Sequence, residues 1–197
     1  SGLVERFGER RGMTLGLRQN LGTGMSLLIF FGGAMAFMWA IEKNKHSSAG
    51  VALLLAFTFF MGLMLSRLVG HVLGLSNGGA LVGYAFGATA AVFALMATLS
   101  TVIKRDLSGM GKFLTIGAVL LLVALVANIF IASSALFLTL GVLGAGLFSA
   151  YMLYDLKRIV DGGETNYVSA TLAIYLDVFN VFQFILSLIG FGSSSSD

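Results

Sequence analysis

The chain has 197 residues, of which 57% are hydrophobic and only 11% charged, with a mean hydropathy of +0.95. Soluble domains carry about 25% charged residues, so this is an integral membrane protein and a soluble globular fold is excluded. The net charge of +3 and isoelectric point near 9.4 do not indicate nucleic-acid binding, because the basic residues fall in short connections between apolar runs, where they report orientation. With no cysteine and no proline, disulfides, thiol nucleophiles and thiolate metal sites are excluded, and no proline kink is expected in any helix.

In chain order, a polar segment Ser1 to Asn20, with Arg6, Arg10, Arg11 and Arg18 against Glu5 and Glu9, precedes six apolar spans. These are Leu21 to Ile41, Ser48 to Val72, Ala80 to Ile103, Phe113 to Ile131, Ser134 to Val160 and Ala170 to Ile189. Each is near or above the ~20 residues a helix needs to cross a ~30 Å hydrocarbon layer, whereas barrel strands would be runs of about 10 alternating residues. The expected fold class is an all-α membrane helical bundle. Gly32-Gly33, Gly83 with Gly87, and Gly141, Gly144 and Gly146 allow helix backbones to approach closely. The expected division is a polar segment 1–20, a bundle 21–191 and a short polar tail 192–197.

Basic residues mark every second connection: Lys43 and Lys45, then Lys104, Arg105 and Lys112, then Lys157 and Arg158. The connections around Leu73 to Gly79 and Ala132 to Ser133 contain no Lys or Arg. The charged connections are expected in the cytoplasm and the tail Gly192 to Asp197 on the outer side. Arg67 and His71 close the second span, where a snorkelling or interfacial role is expected. The same alternation puts Ser1 to Asn20 outside, against its arginine content. One further span, belonging between about Gly12 and Leu17, would return the cluster to the cytoplasm; the alternative is an amphipathic interfacial segment.

Asp155 and Asp177 each stand inside an apolar run. A carboxylate at membrane depth costs at least ~2.5 kcal/mol, so two in consecutive spans suggest one shared site. Gly162-Gly163 is a natural helix stop, and Thr165 or Asn166 a natural cap for the next helix. At about 1.5 Å per residue, Asp155 lies about 10 Å and Asp177 about 16 Å from the turn, close enough to meet across a helical hairpin. Projection at about 100° per residue puts Asn166, Ala170, Ala173, Asp177, Asn180 and Phe184 on one stripe of the last helix, with Tyr175, Phe179, Phe182 and Leu186 on the other side.

Two adjacent carboxylates cannot easily both ionise, so they should share a proton and titrate as a coupled pair. That is a pH sensor, with Asp155 and Asp177 also able to hold Ca²⁺ transiently. The alternative is two unrelated polar groups, each satisfied by backbone or by Arg158. Tyr151, Arg158, Asn128 and Asn180 are the supporting candidates, with Asn128 read as interhelical glue. Asp106 reads as a solvated loop charge or helix cap. With His46 and His71 the only histidines, a zinc site would need carboxylates from distant spans.

Several motifs are familiar as a set: Tyr154-Asp155, Gly162-Gly-Glu-Thr-Asn-Tyr167, Ala170-Thr, Tyr175-Leu-Asp177 and Asn180-Val-Phe, with Lys104-Arg-Asp-Leu-Ser108 and Ala127-Asn-Ile-Phe130. From about Leu21 onward the chain resembles the bacterial branch of the transmembrane Bax-inhibitor-motif family. The resemblance implies a seven-helix fold with six helices around a central last one, of which six spans are readable here. It also implies a bacterial inner-membrane location. In that family the aspartates matching Asp155 and Asp177 form a proton-sharing pair controlling a pH-sensitive calcium leak. Its leak members carry an arginine latch after the second helix, but the corresponding stretch here, Ala40-Ile-Glu-Lys-Asn-Lys45, has no arginine. The branch also includes a protein that restrains a membrane-anchored AAA protease, and Gly-Gly-Glu-Thr-Asn-Tyr is closer to that member.

Three functions are therefore weighed. A Ca²⁺ or H⁺ leak gated by the pair is favoured by the buried acids. A modulator of a membrane-anchored AAA protease rests on resemblance alone. An intramembrane aspartyl protease is disfavoured, since Asp177 follows Tyr175-Leu176 in place of a Gly-x-Gly-Asp loop and the chain has no proline for a Pro-Ala-Leu element. No enzymatic activity is expected, and the bilayer is the expected surrounding.

Overall fold

A computed structural model describes the backbone of residues 2–195 and the side chains of these residues except 2–7, 9, 17 and 20. Six helices account for nearly all of it: α1 (Gly2–Lys43), α2 (Ser48–Leu73), α3 (Gly78–Val102), α4 (Met110–Ile131), α5 (Ser134–Val160) and α6 (Tyr167–Ser194). Among the described residues there is no strand, and all six helices are long and apolar enough to cross a membrane. The expected spans all appear.

Two bounds differ from the sequence reading. Helix α1 continues without a break through residues 12–17 and reaches back to Gly2, so the polar segment is not separate from the first span; Arg6 lies outside the described side chains. Helix α6 runs to Ser194, so the first part of the polar tail is helical. There Ser194 Oγ donates to the Phe191 carbonyl 3.0 Å away, a local bond that keeps a serine inside a helix.

The chain forms two compact units, residues 1–64 and 65–197. In the first, α1 and most of α2 make a hairpin. Gly33 faces Phe60, whose ring stands 2.8 Å from where a Cβ would sit. Phe37 packs on Phe57 and Phe60 with ring centroids 5.8 and 5.5 Å away. The connection is fastened by Asn44 Nδ2 donating to the Ala40 carbonyl and by the ion pair Glu42–Lys45.

In the second unit the last turns of α2 join α3 to α6. Val72, Ala85 and Leu186 form a fully buried cluster near one end of this unit. Helix α5 packs on α3, α4 and α6, and α3 also packs on α6. Helix α6 has the largest buried share of the six, 28% of its most apolar stretch. Its small-residue contacts explain the closeness to α5: Phe184 sits on Gly144 and Leu188 on Gly141. The aromatic side of α6 turns to α3, where Phe86, Phe93, Tyr175, Phe179 and Phe182 line an open apolar groove of about 520 Å³. The stripe bearing Asp177 therefore faces α5, as the helical projection required.

Candidate carboxyl-pair site at the end of helices α5 and α6

The turn between α5 and α6 is built locally. Helix α5 stops at Val160, and Gly162 takes φ +77°, a left-handed conformation that glycine adopts without a Cβ clash. The Gly163 and Glu164 N–H groups both donate to the Arg158 carbonyl, at 2.8 and 3.2 Å. Asn166 then caps α6, its side-chain oxygen accepting from Val168 and Ser169 N–H at 3.0 Å each. These bonds supply partners for groups a helix end leaves unpaired.

From this turn the helices run antiparallel, and the Asp155 and Asp177 carboxyls come to face one another. Every side chain leans toward its helix N-terminus. Asp155 leans away from the turn and Asp177 toward it, which closes the roughly 6 Å offset between their levels. Asp177 is only 4% exposed, and no protein donor reaches its buried Oδ2. Asp155, with a side chain 12% exposed, has Arg158 Nη1 3.7 Å from its Oδ1. The two readings of Arg158 thus coincide: the carboxyls meet, and one of them also has this cation.

Arg158 has a second partner. Its Nη2 lies 3.7 Å from Glu164 Oε2, while Glu164 Oε1 accepts from the Asn166 N–H at 3.0 Å. The guanidinium also lies over the Tyr154 ring, 5.7 Å from its centroid. Tyr151 donates its hydroxyl to Thr115 of α4 at 3.1 Å and stacks on Phe148, which stacks in turn on Phe184. Asn180 lies one turn beyond Asp177, but its Nδ2 donates to the Leu176 carbonyl at 2.7 Å, a bond within its own helix.

Asn128 is not brought to the pair. Its Oδ1 accepts from Ser133 N–H at 3.1 Å, closing the α4–α5 turn. Tyr154 packs on Gly111 at the other end of α4, so Asn128 lies about 26 Å farther along the bundle.

Two contributors escaped the sequence reading. Lys157, read there as an orienting loop charge, is buried and pairs with Asp161 at 2.9 Å; the four-residue spacing of opposite charges was the available signal. Glu164, inside the glycine-rich segment, is the joint partner of Arg158 and Asn166. At the same end, exposed Asp106 accepts from Ser108 N–H and Oγ at 2.9 Å each. The Ser108 bonds hold the Asp106 carboxyl below its ordinary value, with Lys157 adding a smaller pull. Among the described residues no three His, Cys, Asp or Glu side chains are grouped to hold a metal ion.

Comparison with known proteins agrees with this picture. The family model described as "Inhibitor of apoptosis-promoting Bax1" matches residues 11–195. A Neisseria meningitidis serogroup B protein is 40% identical over 164 residues, covering 83% of this chain and 70% of its own length. A Vibrio cholerae membrane protein is 35% identical over 152 residues, 77% of this chain and 68% of that protein. The Escherichia coli protein named Modulator of FtsH protease YccA is 32% identical over 167 residues, covering 85% and 76%. An equivalent E. coli sequence is named an inner membrane protein. By this match over most of its length, the six-helix chain carrying the Asp155–Asp177 pair belongs to the Bax-inhibitor family of multi-pass bacterial inner-membrane proteins.

Proposed function

We propose that the chain is a pH-sensitive leak for Ca²⁺ or H⁺, gated by Asp155 and Asp177. The observation that carries this reading is the buried Asp177 carboxyl, which has Asp155 beside it and no protein donor on Oδ2. In a low-dielectric interior, two such groups hold one proton between them, and removal of that proton leaves two like charges side by side. The shared proton keeps the hairpin together and the path closed. Full ionisation drives the carboxyls apart and draws in a cation. Ca²⁺ takes 6–8 oxygen ligands, more than two carboxylates supply, so a passing ion keeps much of its water. The basic connections face the cytoplasm and the C-terminal tail faces outward in this reading.

The test is flux of Ca²⁺, H⁺ and K⁺ from liposomes across a pH series. Asp155→Asn and Asp177→Asn should each flatten the pH response between about pH 5 and pH 8, since one carboxyl then titrates without a like-charged neighbour. Profiles unchanged by both substitutions would make the pair structural.

A second reading is favoured by the E. coli relative named as a modulator of FtsH protease: this chain binds and modulates a membrane-anchored AAA protease without transporting ions. Copurification with such a protease, unaffected by Asp177→Asn and with no flux at any pH, would support it. Neither reading assigns the chain a catalytic step.

A further inference from the structure

The pair has a cation of its own, and it is divided between two acids. We propose that Arg158 is a positioning residue that bridges Asp155 to Glu164, so that the α5–α6 connection and the α6 N-cap are tied to the charge state of the carboxyl pair. This inference rests on the leak reading only for its consequence in transport; the bridge itself is separable from it.

The geometry supports a bridge and not a simple ion pair. Different nitrogens of one guanidinium face the two carboxylates, each at 3.7 Å: Nη1 toward Asp155 and Nη2 toward Glu164. Only arginine presents a rigid fork that can address two acids in this way. Glu164 passes the link on, because its other oxygen accepts from Asn166 N–H, and Asn166 caps the helix that carries Asp177. A continuous set of contacts therefore runs from Asp155 through Arg158, Glu164 and Asn166 to the start of α6. The Arg158 carbonyl holds Gly163 and Glu164 independently of the side chain, so loss of the guanidinium leaves the backbone of the turn fastened.

The charged and titratable neighbours of Asp155 are few. Asp177 faces it from α6, Arg158, Tyr151 and Tyr154 stand on its own helix, and Glu164 comes from the connection. Lys157 is engaged by Asp161. Helix α3 carries no charged residue, and α4 carries only Lys112, exposed in its first turn. Arg158 is thus the cation set against Asp155 in this unit, and Glu164 competes for it. When the pair ionises fully, the guanidinium is drawn toward the membrane acids and its hold on Glu164 weakens, which loosens the α6 cap. When the pair shares a proton, Glu164 keeps its share.

The test is an infrared titration of the protonated-carboxyl band on the full chain in detergent, with the pair's part taken as that removed by Asp177→Asn. Arg158→Gln should move the midpoint up by roughly one pH unit, because the ionised form loses its cation. Glu164→Gln should move it down by a smaller amount, because the competitor is gone. Arg158→Lys should restore the midpoint only in part, since one ammonium cannot address both acids. If Arg158→Gln fails to fold, Glu164→Gln and Arg158→Lys still decide the matter. Midpoints that superimpose on the unmodified chain, or that move the same way in Arg158→Gln and Glu164→Gln, overturn the bridge. Opposed shifts in a chain that shows no flux support the bridge and sink the leak reading alone.

Discussion

The ring of Phe184 on α6 lies directly over Gly144 on α5, with its nearest carbon 2.6 Å from where a Cβ would stand. The α5–α6 contact is therefore set by the absence of a side chain. Gly144→Ala should destabilise the protein by about 1–3 kcal/mol through overpacking, and Phe184→Leu in the same chain should recover part of the loss. Gly141→Ala should cost less, because the atom it meets, at 2.7 Å, is the end of the flexible Leu188 side chain. Thermal unfolding in detergent reads all three.

Gly162→Ala should cost about 1–2 kcal/mol, since φ +77° brings a Cβ against the following carbonyl. Gly163→Ala is the matched control. Its nearest neighbour would be 3.5 Å away, and little change is expected in the same melt.

Asn166→Ala removes the acceptor for two α6 amides and should cost about 1 kcal/mol. Asn166→Asp keeps the acceptor and should recover most of this. Amide exchange at Val168 and Ser169 gives the local reading, and equal exchange in both variants would show that the cap has no measurable weight.

Asp106 gives a pH effect separate from that of the pair. Its folded value lies below the ordinary carboxylate range because Ser108 donates to it, so its contribution is fully present above the unfolded value and is lost as pH falls through the folded one. Protection of the Ser108 amide, taken against the intrinsic exchange rate at each pH, should therefore be level between pH 5 and pH 8 and fall below about pH 4. Asp106→Ala should lower that protection throughout while leaving the flux profile of the pair unmoved.

Much of this site was legible because its signals are local. Apolar run length gave the spans, Gly162-Gly163 and Asn166 gave the turn, and distances of about 10 Å and 16 Å from that turn put Asp155 and Asp177 within reach of one another. The end of α4 at Ile131 was legible from run length, but the role of Asn128 was not: spacing alone does not show that its side chain turns back to the Ser133 amide, past an Ala132 with a left-handed φ of +52°. The extension of α1 through a polar stretch was hidden for a related reason, since charge pattern reports solvent and not helicity. The Arg158–Glu164 contact depends on how the turn folds back, which spacing alone does not fix.

The notches at Gly141 and Gly144 also constrain how the hairpin can move. Phe184 and Leu188 seat in them like teeth, so α6 cannot slide along α5 without lifting both side chains out. That end acts as a fulcrum. Asp155 lies about 16 Å from Gly144 and Asp177 about 10 Å from Phe184 along their helices, between these notches and the 161–166 turn, so a swing about the glycines parts the carboxyls only as far as that turn yields. In the proposed leak, parting of the pair is then a swing of the helices that bends the turn, and not a piston stroke through the bundle.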